Sequence, residues 1–266
     1  MGTFGHMRTE LNGKQALVLG ASQGIGRAIA IEFASLGANV TIVSRENTSL
    51  EQVLSQLDRS QGQDHRLFTA DMRRTDELRE VLDRHASNQF DIVVNNTGGP
   101  APGQAHEADV EAFADAFRLH LLAFQTVVRA TVPGMKERGH GRIINIISTS
   151  VKQPLPNLGV SNTIRGAVAQ WSKTLASELG PFGITVNNVL PGATSTERLS
   201  SIIKNKSLKA GISEEEATRH MLDEIPLRRF ASPEEIAYAA AFLAGPSGSY
   251  INGINLPVDG GRTACL

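Results

Sequence analysis

Short apolar runs alternate with longer amphipathic stretches along almost the whole chain. Ala16–Leu19 is too short for a helix and reads as a buried strand, and after it Ile25, Ala28, Ile29 and Phe33 recur at helical spacing. Asn39–Val43 predicts a second strand, Thr48–Leu57 a helix, Arg66–Ala70 a third strand ending at Asp71, and Thr75–His85 another helix. Phe90–Asn95 reads as a strand running into Asn96, Thr97 and Gly98. Val110–Met135 follows as one long helix with a continuous apolar stripe. Arg142–Ile147 is a β-rich strand and Ser161–Leu179 a helix. Ile184–Leu190 is a sixth strand stopped by Pro191 and Gly192, and Ile251–Val258 is the last. Strands separated by helices imply right-handed crossovers, and so an α/β domain with a doubly wound parallel sheet. No linker, repeat or low-complexity tract divides residues 11–266, so one domain is expected.

One stretch breaks the rhythm. Ser195–Glu224 is polar, charged and helical in pattern, with Ser213 and three following glutamates marking a helix start. It follows the sixth strand, and ligands in such sheets bind at the carboxyl ends of strands, so it reads as a lid of about residues 195–224. A plain surface excursion is the alternative. Residues 1–10 are set aside as an N-terminal arm, with Met1–Met7 a remnant of expression.

Charge and composition narrow the partners. Lysines and arginines number 26 and acidic residues 27, so the formal net charge of 26 − 27 = −1 makes no case for nucleic acid or an acidic membrane. No apolar run approaches a membrane span, and no signal peptide is visible. Cys265 is the only cysteine, so no intramolecular disulfide forms and a cytoplasmic location is expected.

The candidate chemistry starts in the first turn. Gly20, Gly24 and Gly26, in the pattern G-x-x-x-G-x-G, stand between the first strand and the first helix. A pyrophosphate must meet backbone N–H groups at the positive end of a helix, and a Cβ at Gly20 or Gly24 would hold it off. A tight turn without ligand is the plainer alternative.

With that turn, the chain resembles the short-chain dehydrogenase/reductase family from Leu11 to Gly261. The matching motifs lie in family order: Gly20-Ala21-Ser22-Gln23-Gly24-Ile25-Gly26; Asp71; Asn95-Asn96-Thr97-Gly98; Ser148; Pro191-Gly192 with Thr196; and Val258-Asp259-Gly260-Gly261. Within it the chain looks most like bacterial 3-oxoacyl-carrier-protein reductases or proteins known simply as oxidoreductases. The resemblance implies a Rossmann fold, a small-molecule substrate and a homo-oligomer, usually a tetramer. It also implies that Gly20, Ser22, Gln23, Gly24, Ile25 and Gly26 hold the pyrophosphate. Asp71 and Met72 would border the adenine, Asn95 and Gly98 the adenosine side, and Pro191, Gly192 and Thr196 the nicotinamide end. Leu19 stands where the family often has Thr, a residue that mostly ties strands together.

The second strand ends in Ser44-Arg45-Glu46-Asn47, where an acidic residue would favour the ribose hydroxyls of NAD. Ser44 has no charge to repel a 2′-phosphate, and Arg45 can grip one, so NADP(H) is the expected cofactor. A Glu46 turned to the ribose, or a merely solvated Arg45, would count against it.

The family's active site is a tetrad of Asn, Ser, Tyr and Lys, with Tyr protonating the carbonyl oxygen. Aligned on the helix 166–179, Ser161 takes the Tyr place, Arg165 the Lys place and His120 the Asn place; only Ser148 survives. A serine hydroxyl is a far weaker acid than a phenol, and Arg165 cannot donate a proton at ordinary pH. Lys152, four residues after Ser148, is a candidate oxyanion stabiliser or donor, with an exposed loop lysine as the alternative. His120 is a weaker candidate, since the Asn place lies behind the chemistry. Arg165 can still position the cofactor ribose. Three functions stay open: an NADPH-dependent reductase of carbonyl or conjugated carbonyl compounds with an altered proton route, an ordinary 3-oxoacyl reductase, and a non-catalytic NADP(H)-binding protein.

Overall fold

A computed structural model describes residues 9–85 and 89–265. The expected N-terminal arm therefore lies outside the described residues, apart from Thr9 and Glu10. Seven parallel strands form one sheet: β1 (Gln15–Leu19), β2 (Asn39–Ser44), β3 (Arg66–Thr69), β4 (Ile92–Asn95), β5 (Gly141–Ile146), β6 (Ile184–Pro191) and β7 (Asn255–Val258). Their order is β3-β2-β1-β4-β5-β6-β7. The order reverses between β1 and β4, which opens a crevice at the carboxyl ends of the strands.

Helices cover both faces, which is why the strands are apolar on both sides. On one face α1 (Gly24–Ser35), α2 (Asn47–Leu54) and α9 (Pro233–Ala244) pack Ile29, Phe33, Leu50 and Ile236 against Val18 and Val94. On the other, α3 (Thr75–Arg84), α5 (Ala123–Arg138) and α6 (Gly159–Leu179) pack Leu78, Phe124 and Val168 against Leu17 and Val93. The hydrophobic pattern leads to this architecture, although it passes over α9, an alanine-rich helix with little amphipathic contrast.

Most boundaries shift by a few residues from expectation, and three departures are instructive. The long helix is two, α4 (Val110–Phe117) and α5, joined by a π-helical turn at Arg118–Leu122. Periodicity cannot show one residue extra in a turn, and such turns recur at functional sites. Pro191 does not stop β6 but closes it, paired with Val258 at the sheet's end. The final strand starts at Asn255, because Ile251 to Gly253 bends to pass carbonyl and amide bonds to Asn187 and Val186. The segment expected as a lid forms α7 (Glu197–Ala210) and α8 (Glu214–Asp223), the latter capped by Ser213 as its sequence predicts.

Four asparagines in register pin the sheet's middle. Asn95 Nδ2 donates to Asn145 Oδ1 at 2.8 Å, Asn145 Nδ2 to Asn188 Oδ1 at 3.0 Å, and Asn188 Nδ2 to Asn255 Oδ1 at 2.8 Å. Ser172 of α6 accepts from Asn145 and donates to Asn188. These bonds fix the register of β4 to β7, and of the ladder's amide oxygens Asn95 Oδ1 is left buried without a partner among the described residues.

Candidate active site

The crevice begins at the turn after β1. Gly20 has φ +61°, and a Cβ there would lie 2.6 Å from the Asn96 carbonyl oxygen; at Gly26 it would lie 2.2 Å from the Gly20 carbonyl oxygen. Asn96 Nδ2 donates to the Leu19 and Gly20 carbonyls, binding the turn to the end of β4. Packing alone thus requires these glycines, whatever a ligand requires. Gln23 caps α1 without a side-chain bond and no acidic residue sits in the first turn, so the α1 N–H groups keep their positive end for an anion. Ser22 and Gly24 border this turn half-buried, with Ile25 packed toward the core.

At the end of β2, Ser44 is buried and Arg45 is exposed. Glu46 is taken up locally: its carboxylate accepts from Ser49 Oγ at 2.7 Å, and its N–H donates to Ser44 Oγ. Asp71, after β3, is clamped by Arg73 at 2.8 Å, which together with the Arg73 backbone bond and nearby Arg45 holds its carboxyl below the usual range. Met72 is buried in the core, so the adenine border left to it is narrow. The Asn95 side chain is buried, its Nδ2 bonded to Asn145 and its Oδ1 without a partner among the described residues. Gly98 and Gly99 continue β4 outward, with open space at Gly98.

The far end of the crevice gathers the tetrad positions. Ser148 follows β5 and is half-buried, its Oγ accepting from the Ser150 N–H at 3.1 Å. Ser161 and Arg165, one turn apart on α6, are both buried. Arg165 Nη1 donates to the Ile146 carbonyl at 2.9 Å, anchoring α6 to the end of β5, while its Nε has no partner. Burial, reinforced by Arg198, pushes the Arg165 pKa down to about 10. Lys152 closes the short turn after Ser148, half-buried, with its carbonyl facing the Cys265 thiol.

The π-helical turn carries His120 inward to full burial, where its Nδ1 lies 2.5 Å from Thr97 Oγ1 and its Nε2 has no partner. Burial first, then repulsion from Arg165 and Arg198, pushes its pKa down to about 2. It is a neutral ring at any working pH, and no proton donor.

Gly192 donates to the Val258 carbonyl, and a Cβ on it would strike Asp259. Thr196 caps α7 and packs its methyl 3.2 Å from where a Gly24 Cβ would stand. Two residues on, Arg198 reaches over the crevice. Its Nη1 donates to the Gly99 carbonyl at 2.9 Å and its Nη2 to the Pro100 carbonyl at 3.4 Å. Arg198 does not stand out in the sequence, since one charge in a charged helix reads as solvated, and Thr97 appears there only within the Asn95–Gly98 motif. Both tyrosines are elsewhere: Tyr238 is 56% exposed on α9, and Tyr250 is wholly exposed before β7. Among the described residues there is no cluster able to hold a metal ion and no helix long and apolar enough to cross a membrane.

Residues 20–263 match the family described as enoyl-(acyl carrier protein) reductase. An uncharacterised oxidoreductase of Mycobacterium tuberculosis is 35% identical, over 95% of this chain and 93% of its own. The NADPH-dependent reductase BacG of Bacillus subtilis is 31% identical over 93% of this chain and 97% of its own. Among solved structures, L-sorbose reductase from Gluconobacter frateurii, complexed with NADPH and L-sorbose, is 32% identical. It superposes with a TM-score of 0.90 over 97% of this chain and 99% of its own.

Proposed function

The chain belongs to the short-chain dehydrogenase/reductase family of oxidoreductases, and from that premise we propose that it is an NADPH-dependent reductase of a carbonyl or conjugated carbonyl compound that works without a phenolic acid. One observation carries the reading. Arg165 of α6 bonds the Ile146 carbonyl two residues before Ser148, with Ser161 one turn before it on the same helix, while Tyr238 and Tyr250 are exposed on α9 and before β7.

The residues fit the cofactor. The uncapped start of α1 and the turn Gly20, Ser22, Gln23, Gly24, Ile25 and Gly26 suit a pyrophosphate, and exposed Arg45, beside neutral Ser44, suits a 2′-phosphate. The backbone at Gly98, with Asp71 and Met72, flanks the adenosine, and Pro191, Gly192 and Thr196 flank the nicotinamide. The NADPH-complexed relatives support the same choice. When bound, the cofactor supplies a hydride to the acceptor carbon.

This chain's residues do the rest. Ser148 donates its hydroxyl to the oxygen on which charge develops, with Ser161 beside it, and such donors act strongly in a site closed to water. Arg165 holds the cofactor ribose from its anchor on Ile146. Lys152 borders the substrate and stabilises the same oxygen, and solvent completes protonation. An enolate-like oxygen needs hydrogen bonds more than an acid of matched pKa, so conjugated carbonyl compounds suit the site best. Helices α7 and α8 act as its lid. Exposed Val110, Phe117 and Leu122 form an apolar face that suits the homotetramer common in the family.

Turnover of an enone, an activated ketone and a 3-oxoacyl thioester with NADPH tests the reading. Enone reduction, with simple ketones gained on Ser161→Tyr plus Arg165→Lys, is the expected result. Thioester reduction at rates ordinary for the family would overturn the altered route. Absence of turnover with NADPH bound would make the protein a cofactor binder.

A further inference from the structure

Two guanidiniums at the reaction end of the crevice lack a counter-charge. Arg198 repels Arg165, and both disfavour a proton on His120. Their hydrogen bonds go only to carbonyls, of Ile146, Gly99 and Pro100, and the Arg165 Nε is buried with none. Arg165 is buried, and a buried cation left to a main-chain dipole is costly, whereas Arg198 is exposed where a ligand can reach it. His120, held neutral, does not add a third charge.

The surroundings hold Arg198 close to the chain that leaves β4. A Cβ on Gly99 would stand 2.5 Å from Arg198 Nη2, so glycine lets the guanidinium lie against the chain beyond β4. Arg198 sits in the first turn of α7, so whatever it binds also pulls the lid onto the crevice. A guanidinium edge matches a carboxylate with two parallel hydrogen bonds.

We propose that Arg198 is a specificity-determining residue that binds a carboxylate on the substrate, with Arg165 supplying the second positive charge. The substrate class is then an oxo acid or a conjugated enoic acid whose carboxylate lies near the reacting carbon. This rests on the reading of the crevice as a nicotinamide-dependent reductase site. The cofactor's pyrophosphate is the rival anion, and it belongs at the start of α1, whereas Arg198 spans to the chain after β4.

Calorimetry on the NADP+-loaded protein, where no reduction occurs, separates the possibilities. The probes are pyruvate, benzoylformate and 2-oxoglutarate, each against its methyl ester. At least one acid should bind about tenfold or more tightly than its ester, as expected for a charge-assisted pair. Arg198→Ala should abolish that preference and Arg198→Lys should keep part of it, while NADP+ affinity stays within about threefold. Acid and ester binding alike in every pair, with NADP+ bound, overturns the carboxylate assignment alone. So does an Arg198→Ala variant that loses NADP+ affinity about tenfold while keeping any acid preference, because Arg198 then serves the pyrophosphate. If NADP+ fails to bind the unmodified protein, the reductase reading falls and this inference with it.

Discussion

The two ends of the crevice handle charge differently. Around β2 and β3 the acidic groups are answered locally: Asp71 by Arg73, and Glu46 by the Ser49 hydroxyl, which leaves Arg45 free in solvent. At the far end, Arg198 repels the buried Arg165, and among the described residues their hydrogen bonds go to carbonyls. The first end is a stable surface that can receive a phosphate. The second is held out of electrostatic balance by the fold, and such imbalance is found where function rather than stability sets the residues. The difference is why we place substrate selection at the second end.

The largest effect should come from the reaction end. Ser148→Ala is expected to slow turnover by about a hundredfold or more, the usual consequence of losing an oxyanion donor, with little change in NADPH affinity. Ser161→Ala should cost distinctly less. Single-turnover rates with an enone decide this, and equal losses would make the two serines one unit and remove the distinction between them.

At the other end, Arg45→Ala should erase a preference for NADPH over NADH worth about tenfold to a hundredfold, the range for a hydrogen bond to a charged group. Arg45→Asp should invert it. Fluorescence titration with both cofactors is the measurement, and equal affinities in the unmodified protein would break the contrast drawn for Arg45.

Much of the phosphate end was legible because its signals are local. A strand, a glycine turn and a helix lie within one stretch, and Arg45 sits at a strand end whose position periodicity gives. The reaction end was legible only as departures, Ser161, Arg165 and His120, because its meaning depends on residues far apart in the chain. Thr97 meets His120 only through the π-helical turn, and Arg198 meets Gly99 across 99 residues. The Asn95–Asn145–Asn188–Asn255 ladder was hidden for the same reason: strand register is a tertiary fact. Even the glycines were legible for one reason and needed for two, since Gly20 and Gly26 are required by Asn96 and by the turn itself.

His120 offers a pH test of the reaction end. Its folded pKa of about 2 lies below the unfolded value near 6.5, so below pH 6.5 the unfolded chain binds the proton and the folded one does not. Stability therefore falls as pH falls through this window, and His120 alone should account for about 2 kcal/mol of loss between pH 7 and pH 5. His140, pushed down to about 4 by burial, acts in the same direction. Urea unfolding at the two pH values should show a smaller loss in His120→Asn than in the unmodified protein. An unchanged loss would mean that the ring is not desolvated as its burial indicates.

The smallest effect concerns the lid, and it joins the two ends. Of α7 only Leu199 is buried, and of α8 only Ala217 and Met221, whereas α1 buries six residues. Few buried apolar contacts mean a low free energy of local opening, so α7 and α8 should exchange their amide hydrogens faster than α1 in the free protein. What ties α7 down is polar: Arg198 on the Gly99 and Pro100 carbonyls, and Thr196 at its cap. NADP+ together with a bound oxo acid should slow exchange in α7 by about tenfold, a fraction of what saturating ligand can add when opening requires its release. NADP+ alone should slow it less, because the proposed cofactor site is built on α1 and Arg45 and the proposed acid site on Arg198. Slowing of the same size with NADP+ alone would tie the lid to the cofactor. Unchanged exchange with both bound would reduce 195–224 to a surface excursion and leave the far end of the crevice open to water, where hydroxyl donors without a phenol lose most of their strength.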